Sequence, residues 1–318
     1  MTQVIAPPKR QRAARKRPRV HNQENAAGWL MSAPALLLLL AFVLVPFVMA
    51  FVLSMQNVRL DGARPNVWMG LEQYRRILLD PLSRGVFYRS LLNNFLFALF
   101  VVPVQTALAV ALATMLNQKL KGIAIFRTFF FLPVVFPMAL VATIWSLIFA
   151  RGSLGMLNGL IHAMTLGLVD AQDWLGDPKL ALLSIAIMSI WAGVGFQMII
   201  VLAGLQNIPT ELYEAAALDR AGRWAQFRHV TLPGLRNTLI FVVIVTTIFS
   251  FRLFDQVYIM TRGGPNNTTS TVMYQAVTSA FIENNVGKGS AMTVVFVLVI
   301  VIVTLVQQRV LKQEREVQ

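Results

Sequence analysis

The chain has 318 residues, of which 56% are hydrophobic and only 13% are charged, with a formal net charge of +14. This composition is too apolar for a soluble domain of this length. Cysteine is absent and the three histidines, His21, His162 and His229, lie far apart, which argues against disulfides, a thiol nucleophile and a thiolate or histidine metal site. Apolar runs of about twenty residues recur, as a bilayer core of roughly 30 Å requires. We therefore expect an all-α polytopic membrane protein.

Residues 1–28 form a basic segment in front of the first apolar run. Its cationic residues are Lys9, Arg10, Arg12, Arg15, Lys16, Arg17 and Arg19. The pattern predicts a disordered cytoplasmic tail. Nucleic-acid binding is an alternative reading, but cytoplasmic retention and anionic headgroups explain the cluster without a nucleic-acid partner. The apolar run 29–52 is too long for a signal peptide and no small-residue cleavage pattern follows it, so we interpret it as the first span.

Five further apolar runs complete a prediction of six transmembrane helices. They lie at approximately 91–112, 129–149, 180–205, 239–260 and 291–310. Pro133 and Pro137 are expected to kink the third span. In front of the second span, Gly70 to Asp80 places Leu71, Tyr74, Ile77 and Leu78 on one helical face, which predicts a short interfacial helix that ends at Pro81.

The distribution of basic residues predicts the orientation. Six spans place both termini on one side of the membrane, together with the second-to-third and fourth-to-fifth connections. These segments hold more than half of the Lys and Arg residues, so the positive-inside rule places both termini in the cytoplasm. The first outer connection does not fit this rule, and flanking the interfacial helix accounts for only some of its basic residues, which are Arg59, Arg64, Arg75, Arg76, Arg84 and Arg89.

The connection between the fourth and fifth spans, residues 206–234, is polar and predicts two short helices. The first begins after Pro209 and Gly222 is expected to stop it; the second runs from Trp224 to Val230 and ends before Pro233. The first helix is rich in alanine, which lets another backbone approach closely, and its glutamates can pair with a partner's arginines. The segment therefore suits a docking surface or, equally, an ordinary cytoplasmic loop.

The sequence contains no motif of an enzyme that we recognise. It has no G-x-x-x-x-G-K-[ST], H-E-x-x-H or G-x-S-x-G sequence, so we expect no catalytic residue, metal or bound cofactor. Buried carboxylates, on which ion-coupled carriers usually depend, are missing from the predicted spans. Polar residues of spans four and five, Gln197, Thr246, Thr247 and Ser250, either line a pathway or hold helices together.

Arg252 is the one firm charge inside an apolar run. An unpaired arginine at a helix centre costs roughly 3 kcal/mol or more. Its side chain should therefore face a cavity, snorkel to the interface, or pair with Asp255.

The run EAAALDRAGRWAQFRHVTLP resembles the EAA loop of binding-protein-dependent ABC importer permeases, whose pattern is EAA, three residues, Gly, nine residues, Ile, one residue and Leu-Pro. Residues Glu214, Ala215, Ala216, Leu232 and Pro233 match at this spacing. Arg220 stands at the family's Gly position, so we expect the turn at Gly222 instead, and Val230 replaces Ile conservatively. The runs GLEQYRRILLDP, LNQKLKGIAIFRTFFFLP and FDQVYIMTRGGPNNTTST are similar to the carbohydrate branch, and MTRGGP is typical of sugar and glycerol-phosphate permeases.

The resemblance implies a type I importer permease fold in the bacterial inner membrane and a chain without enzyme activity. It implies a second homologous permease, an external solute-binding protein, and two ATPase subunits that hold ATP and Mg. Coupling to the ATPases would use the matching EAA residues together with Asp219, Arg220 and Gly222. The substrate would be a sugar, oligosaccharide, polyol or glycerol-phosphate compound. Two alternatives stay open, an ion-coupled secondary transporter and a membrane assembly protein without transport activity.

In the maltose member of this family, substrate contacts come from the spans that flank the EAA loop. Counting from Glu214 to the GGP stretch carries those positions to Gly193, Phe196, Thr246, Phe249, Ser250 and Leu253. Phenylalanine rings suit a sugar ring, and hydroxyl groups suit its hydrogen bonds. Arg252, if it faces the same pathway, favours an anionic substrate.

Overall fold

The computed structural model describes residues 22–62, 65–118, 120–152 and 155–311, and most of these residues are helical. Residues 1–21, which hold all the cations of the predicted tail, lie outside the described ranges, and the first helix begins at Asn22. The chain divides into two compact units, residues 1–49 and 50–318.

The first long helical segment has three parts. Helix α1 is Asn22–Leu39, a π-helical turn follows at Leu40–Leu44, and α2 is Val45–Ser54. Val45 N–H donates to Leu40 O across the wider turn. Pro46 follows immediately, and because proline has no N–H and crowds the carbonyl four residues earlier, a local π turn relieves the conflict. From Gly28 to Ser54 the segment is long and apolar enough to cross a membrane.

The second unit is built from helices, with one short hairpin between its first two. The strands β1, Gln56–Asn57, and β2, Val67–Trp68, pair antiparallel. The helices are α3 Glu72–Leu79, α4 Pro81–Leu116, α5 Ile123–Phe131, α6 Met138–Ile148, α7 Met156–Met164, α8 Ala181–Gln206, α9 Thr210–Leu218, α10 Arg223–Gln226, α11 Leu232–Gly234, α12 Arg236–Phe251, α13 Asp255–Met260, α14 Val272–Val277 and α15 Val286–Val310.

Among the described residues, five helical segments are long and apolar enough to cross a membrane. They are Gly28–Ser54, Ser83–Leu116, Ala181–Gln206, Arg236–Met260 and Val286–Val310. A sixth span results if the bent pair Ile123–Val135 and Met138–Ile148 is counted as one. The predicted all-α polytopic membrane architecture is therefore confirmed.

The predicted kink of the third span is confirmed and is sharper than a simple proline bend. Helix α5 ends at Phe131, a 3-10 turn covers Leu132–Val135, and α6 begins after Pro137, so that the two halves diverge by 98°. Phe136 is extended, because the residue before a proline disfavours the helical conformation. The break leaves the 3-10 turn lining the cavity described below. Helix α5 also packs closely against α8. A Cβ atom on Gly195 of α8 would collide with Phe130 O.

The GGP stretch folds into a buried segment between α13 and α14. Thr269, Ser270 and Thr271 are fully buried. Asn93 of α4 donates from Nδ2 to Asn267 O and Ser270 O, both at 2.8 Å, and Thr271 Oγ1 donates to Leu253 O at 2.8 Å. The stretch that carried the sequence resemblance is therefore a packed structural element that is hydrogen-bonded to the second span.

The end of α9 corrects the expectation that the turn falls at Gly222. Ala221 N–H donates to Ala216 O and Arg220 N–H donates to Ala217 O, at 2.9 and 3.0 Å. This is the Schellman arrangement, which needs a left-handed residue at the position of Arg220. Arg220 has φ +57°, whereas Gly222 has φ −68° and caps the start of α10. Arginine thus adopts the conformation for which glycine is favoured.

The second helix predicted for this connection is longer in the structure than the sequence indicated. Beyond α10, a π turn covers Phe227–Thr231 and leads directly into α11, Leu232–Gly234. Helical conformation therefore continues through Leu232 and Pro233 instead of ending before them. Pro233 is tolerated because the wider π turn directly before it relieves the crowding and the missing N–H of the proline.

Candidate functional site

A cavity of about 350 Å³ lies between helices of the second unit. Its walls come from α4, the break between α5 and α6, α8, and α12 with the start of α13. The 3-10 turn contributes Pro133 and Val134, and Phe136 lines the cavity from the break itself. The broken third span therefore supplies one wall of the cavity.

The six uncharged residues predicted for the substrate pathway all line this cavity. They are Gly193, Phe196, Thr246, Phe249, Ser250 and Leu253. Four of them, Thr246, Phe249, Ser250 and Leu253, stand at positions i, i+3, i+4 and i+7 along α12 and just beyond it, the pattern that places side chains on one helical face. The structure thus brings together residues from two spans, and their role in transport is a proposal below.

Two phenylalanine rings, one from α8 and one from α12, pack against each other in the cavity wall. The ring centroids of Phe196 and Phe249 are 6.3 Å apart, and the ring planes are inclined by 50°. Both side chains are partly exposed. The rings therefore present apolar faces on which a flat, weakly polar molecule can stack.

Two neighbouring threonines of α12 show which polar residues line the cavity and which hold helices together. Thr246 is buried on the cavity side, where its Oγ1 accepts from Gln197 Nε2 and donates to Val242 O at 2.6 Å. Thr247 accepts from Gln307 Nε2 of α15 at 2.9 Å. Hence Gln197 and Thr246 both line the cavity and join α8 to α12, Ser250 lines the cavity, and Thr247 joins α12 to α15 away from it.

Sequence reasoning missed Gln105, which reaches the cavity from the second span. Its side chain is 6% exposed. A Cβ atom on Gly193 would lie 2.5 Å from Gln105 Nε2, so the glycine makes room for the amide. The available signal was a polar residue within a long apolar run, which is costly in a membrane and often functional.

Arg252, the seventh residue predicted for the substrate pathway, lies apart from the six uncharged residues that line the cavity. It follows the last residue of α12, its side chain is exposed, and it does not line the cavity. Among the described residues no ion pair joins it to Asp255. Asp255 instead occupies the first turn of α13, where a carboxylate favours the helix dipole.

The predicted coupling residues lie on the surface of the 206–234 connection. Glu214, Ala215, Asp219 and Arg220 are exposed on α9 or at its end. Ala216 and Leu232 are half-buried, and Gly222 and Pro233 are exposed. Tyr213 OH lies 3.0 Å from Thr231 Oγ1, a hydrogen bond that ties α9 to the π turn. The helix is thereby anchored on one side and open on the side that carries the carboxylates.

A third polar feature lies on the connection between α6 and α8. Arg151 Nε donates to Asp173 Oδ2 at 2.6 Å, and Asp173 Oδ1 accepts from Gly176 N–H at 2.9 Å. The hydrogen bond from Arg151 is the main reason that the pKa of Asp173 lies below its ordinary value. This pair stabilises the turn that leads into α8.

Comparison with known proteins gives consistent matches over most of the chain. Residues 105–316 match the family model described as binding-protein-dependent transport system inner membrane component. The probable ABC transporter permease protein YurN of Bacillus subtilis is 34% identical over 297 residues, which cover 93% of this chain and 99% of that protein. The trehalose/maltose transport system permease protein MalF of Thermococcus litoralis is 31% identical over 295 residues, 92% of this chain and 96% of the relative.

A solved structure has the same fold at lower sequence identity. It belongs to a bacterial ABC transporter involved in the import of the acidic polysaccharide alginate, and it aligns with a TM-score of 0.74 and 20% identity. The alignment covers 91% of this chain and 97% of that one.

Proposed function

This chain belongs to the family of binding-protein-dependent transport system inner membrane components, and on that premise we propose that it forms one half of the pathway of an ATP-driven sugar importer. It is a multi-pass membrane protein and a permease subunit of a binding-protein-dependent importer. The second half of the pathway is a homologous permease. Both termini lie in the cytoplasm, as the distribution of Lys and Arg indicates.

One observation carries the proposal for this chain's own residues. The cavity is lined on two sides by α8 and α12, the helices that enter and leave the 206–234 connection. A force applied to that connection therefore reaches both walls through continuous helices. This arrangement suits a subunit that receives its energy at the connection and uses it at the cavity.

The energy comes from partners, because the sequence contains no P-loop. Two ATPase subunits bind ATP and Mg, and each receives an EAA helix of one permease. On this chain Glu214 and Asp219 present exposed carboxylates that suit arginine or lysine on the ATPase surface. Arg220, Gly222, Leu232 and Pro233 shape the turns on either side of α10 and complete the coupling surface.

The cavity supports a sugar-like substrate delivered by an external solute-binding protein. Phe196 and Phe249 offer stacking faces, and Thr246 and Ser250 offer hydroxyl groups beside them. Aromatic faces next to hydrogen-bonding groups suit a molecule with one apolar face and a hydroxylated edge. Relatives that are named for trehalose, maltose and lactose transport support the same class.

Co-purification tests the coupling role. Membranes that contain the complete importer are solubilised, and the ATPase that co-purifies with this chain is quantified together with substrate uptake. Reversing the charge of Glu214 with Glu214→Arg should release the ATPase and abolish uptake. The control is Glu211→Arg, because Glu211 is also exposed on α9 but lies one turn earlier. Unchanged assembly and uptake in Glu214→Arg would refute the proposed docking.

A further inference from the structure

A second cavity, of about 610 Å³, is an apolar groove between α4 and α12. It shares no lining residue with the cavity described above. Helix α4 forms one wall from Pro103 to Met115, and α12 contributes Leu239 and Val243 to the other. Among the described residues that line the groove, none is charged. Pro103, Ala111 and Met115 are exposed, so the groove is open along the α4 wall.

The length of the groove matches one leaflet of a bilayer. Pro103 and Met115 are twelve residues apart on one continuous helix, a distance of about 18 Å along the helix axis. The hydrocarbon core of a membrane is roughly 30 Å thick, so that each leaflet contributes about 15 Å. Helix α4 ends at Leu116, on the side of the membrane that we propose is cytoplasmic. The groove therefore spans the depth of the cytoplasmic leaflet.

Two aromatic rings line the groove from the connection 206–234, just before α12 begins. The rings of Trp224 and Phe227 are stacked, with centroids 5.5 Å apart and planes inclined by 25°. The side chain of Trp224 is 72% exposed. Tryptophan is enriched where membrane and water meet, because its ring is apolar and its N–H is polar. The stacked pair therefore indicates the level of the lipid headgroups.

Two arginines flank the stacked rings in sequence. Arg223 directly precedes Trp224, Arg228 directly follows Phe227, and both arginines are exposed. Among the described residues no ion pair includes either of them. Guanidinium groups form strong hydrogen bonds with phosphate, and basic residues near the cytoplasmic surface attract anionic lipids. An apolar groove that ends beside two cations is complementary to an acyl chain joined to an anionic headgroup.

We propose that this groove binds an anionic phospholipid of the cytoplasmic leaflet, with an acyl chain between α4 and α12 and the headgroup phosphate at Arg223 and Arg228. The bound lipid packs against both helices and against the stacked rings. It thereby holds the end of the connection 206–234 against α4. The inference goes beyond the proposed import function and does not depend on which substrate is carried.

The hydroxyl of Thr106 distinguishes a lipid from a helix of the second permease. Thr106 lines the groove, and its Oγ1 is buried without a hydrogen-bond partner among the described residues. Thr114 lines the same wall, but its Oγ1 donates to Val110 O at 2.8 Å. A neighbouring helix can bond a threonine hydroxyl, whereas an acyl chain cannot. Thr106→Val keeps the branched shape and should therefore weaken contact with a helix but not with a lipid.

Photolabelling of the complete importer tests the proposal. The importer is reconstituted into vesicles of equal parts phosphatidylcholine and phosphatidylglycerol, with a trace of either lipid that carries a diazirine in its acyl chain. Labelled residues are then identified by mass spectrometry. The wild type should be labelled on α4 between Pro103 and Met115, and roughly tenfold more by the phosphatidylglycerol probe. Thr106→Val should leave this labelling within about twofold of wild type.

A variant that fills the groove has a matched control. Ala111→Phe places a ring in the open α4 wall at an exposed position, so it should abolish labelling of the groove by both probes. The control is Ala124→Phe, because Ala124 is an exposed alanine of α5 that lies outside the groove. Its labelling of the groove should equal that of the wild type.

A charge variant keeps the proposal testable if Ala111→Phe fails to fold. The double variant Arg223→Gln, Arg228→Gln should make the two probes label the groove equally. The control is Arg84→Gln, Arg89→Gln, which removes two exposed arginines from the opposite end of α4 and should leave the preference for phosphatidylglycerol unchanged.

Two outcomes would overturn the inference. One is equal labelling of the wild-type groove by both probes, because the headgroup would then not be recognised. The other is a groove that neither probe labels, together with loss of the second permease from Thr106→Val during purification, which would assign the groove to a protein helix. Photolabelling requires neither ATP nor substrate, so either outcome leaves the proposed import function to its own test.

Discussion

Two groups of buried polar side chains lie within the membrane-embedded part of this protein, and they differ in how completely they are paired. Around the GGP segment, Asn94 Nδ2 donates to Phe251 O and Asn94 Oδ1 accepts from Val272 N–H. In the cavity, Gln197 Nε2 donates to Thr246 while Gln197 Oε1 has no partner among the described residues, and no hydrogen bond joins the Gln105 amide to another described residue. Because an unpaired polar group is costly in a buried site, the first group contributes more to the stability of the fold than the second.

The largest expected effect comes from breaking the paired group. Asn94→Leu leaves Phe251 O and Val272 N–H without their side-chain partners in a fully buried position. We expect a loss of about 2–4 kcal/mol in the free energy of unfolding, measured by thermal unfolding in detergent. Gln105→Leu is the control in the other group. Equal losses of unfolding free energy in both variants would mean that hydrogen-bond pairing does not distinguish the GGP segment from the cavity.

The next effect tests the room that Gly193 leaves for Gln105. A methyl group at position 193 would lie 2.5 Å from Gln105 Nε2, so Gly193→Ala should displace the amide at a cost of about 1–3 kcal/mol and reduce uptake. The reference is Gly85→Ala on α4, since no atom lies within 4 Å of a Cβ built there and the residue is exposed. In the double variant Gly193→Ala, Gln105→Ala the lost stability should return, because alanine at position 105 leaves room for the new methyl group. A double variant as unstable as Gly193→Ala alone would contradict the assignment.

A smaller effect of opposite sign is expected from Gln105→Leu alone. Removing an unpaired amide and filling its place with a side chain of similar volume should leave the free energy of unfolding unchanged or raise it by up to about 1 kcal/mol. Uptake should nevertheless fall. Thermal unfolding and uptake on the same preparation check both parts, and a destabilised variant would show that Gln105 belongs to the structural group.

In the connection 206–234, the free-energy cost of one strained backbone conformation can be compared with the costs of the side-chain changes above. Arg220 adopts φ +57° on an exposed turn, so Arg220→Gly should stabilise the protein by about 0.5–1 kcal/mol. Arg220→Ala is the matched control, because it removes the charge and keeps the strain. An Arg220→Ala variant as stable as Arg220→Gly would assign the gain to charge instead of conformation.

The smallest effect concerns the exposed pair Arg151 and Asp173. The pKa of Asp173 is lowered in the folded state, mainly by the Arg151 hydrogen bond. Its contribution to stability is therefore present above the unfolded-state pKa, near 4, and is lost as the pH falls through the folded-state value. Asp173→Asn should flatten the dependence of the unfolding midpoint on pH below about 4. An unchanged dependence would mean that solvent screens the pair completely.

The spans could be predicted from the sequence, because long apolar runs are a local signal. Gly193 and Phe249 were implied by the resemblance to the maltose permease, not by spacing alone, and the structure places both on one cavity. Gln105 escaped prediction because its proximity to α8 depends on packing between spans distant in sequence. The turn at Arg220 was misplaced because arginine rarely adopts a positive φ, and only the carbonyls of Ala216 and Ala217 reveal the requirement. Prolines predicted that the third span breaks, but the 98° angle depends on the helices around it.

Helix α8 is unbroken from the cavity to the 206–234 connection, and this continuity makes it a lever. Gln197 and Gln206 are separated by nine residues, or roughly 13 Å along the helix axis. If the helix tilts about its end at the connection by roughly 10°, the Gln197 end moves by about 2 Å. That displacement is comparable to the difference between a hydrogen bond made and a hydrogen bond lost. A small rotation at the connection is therefore sufficient to make or break a hydrogen bond at the Gln197 end of the helix.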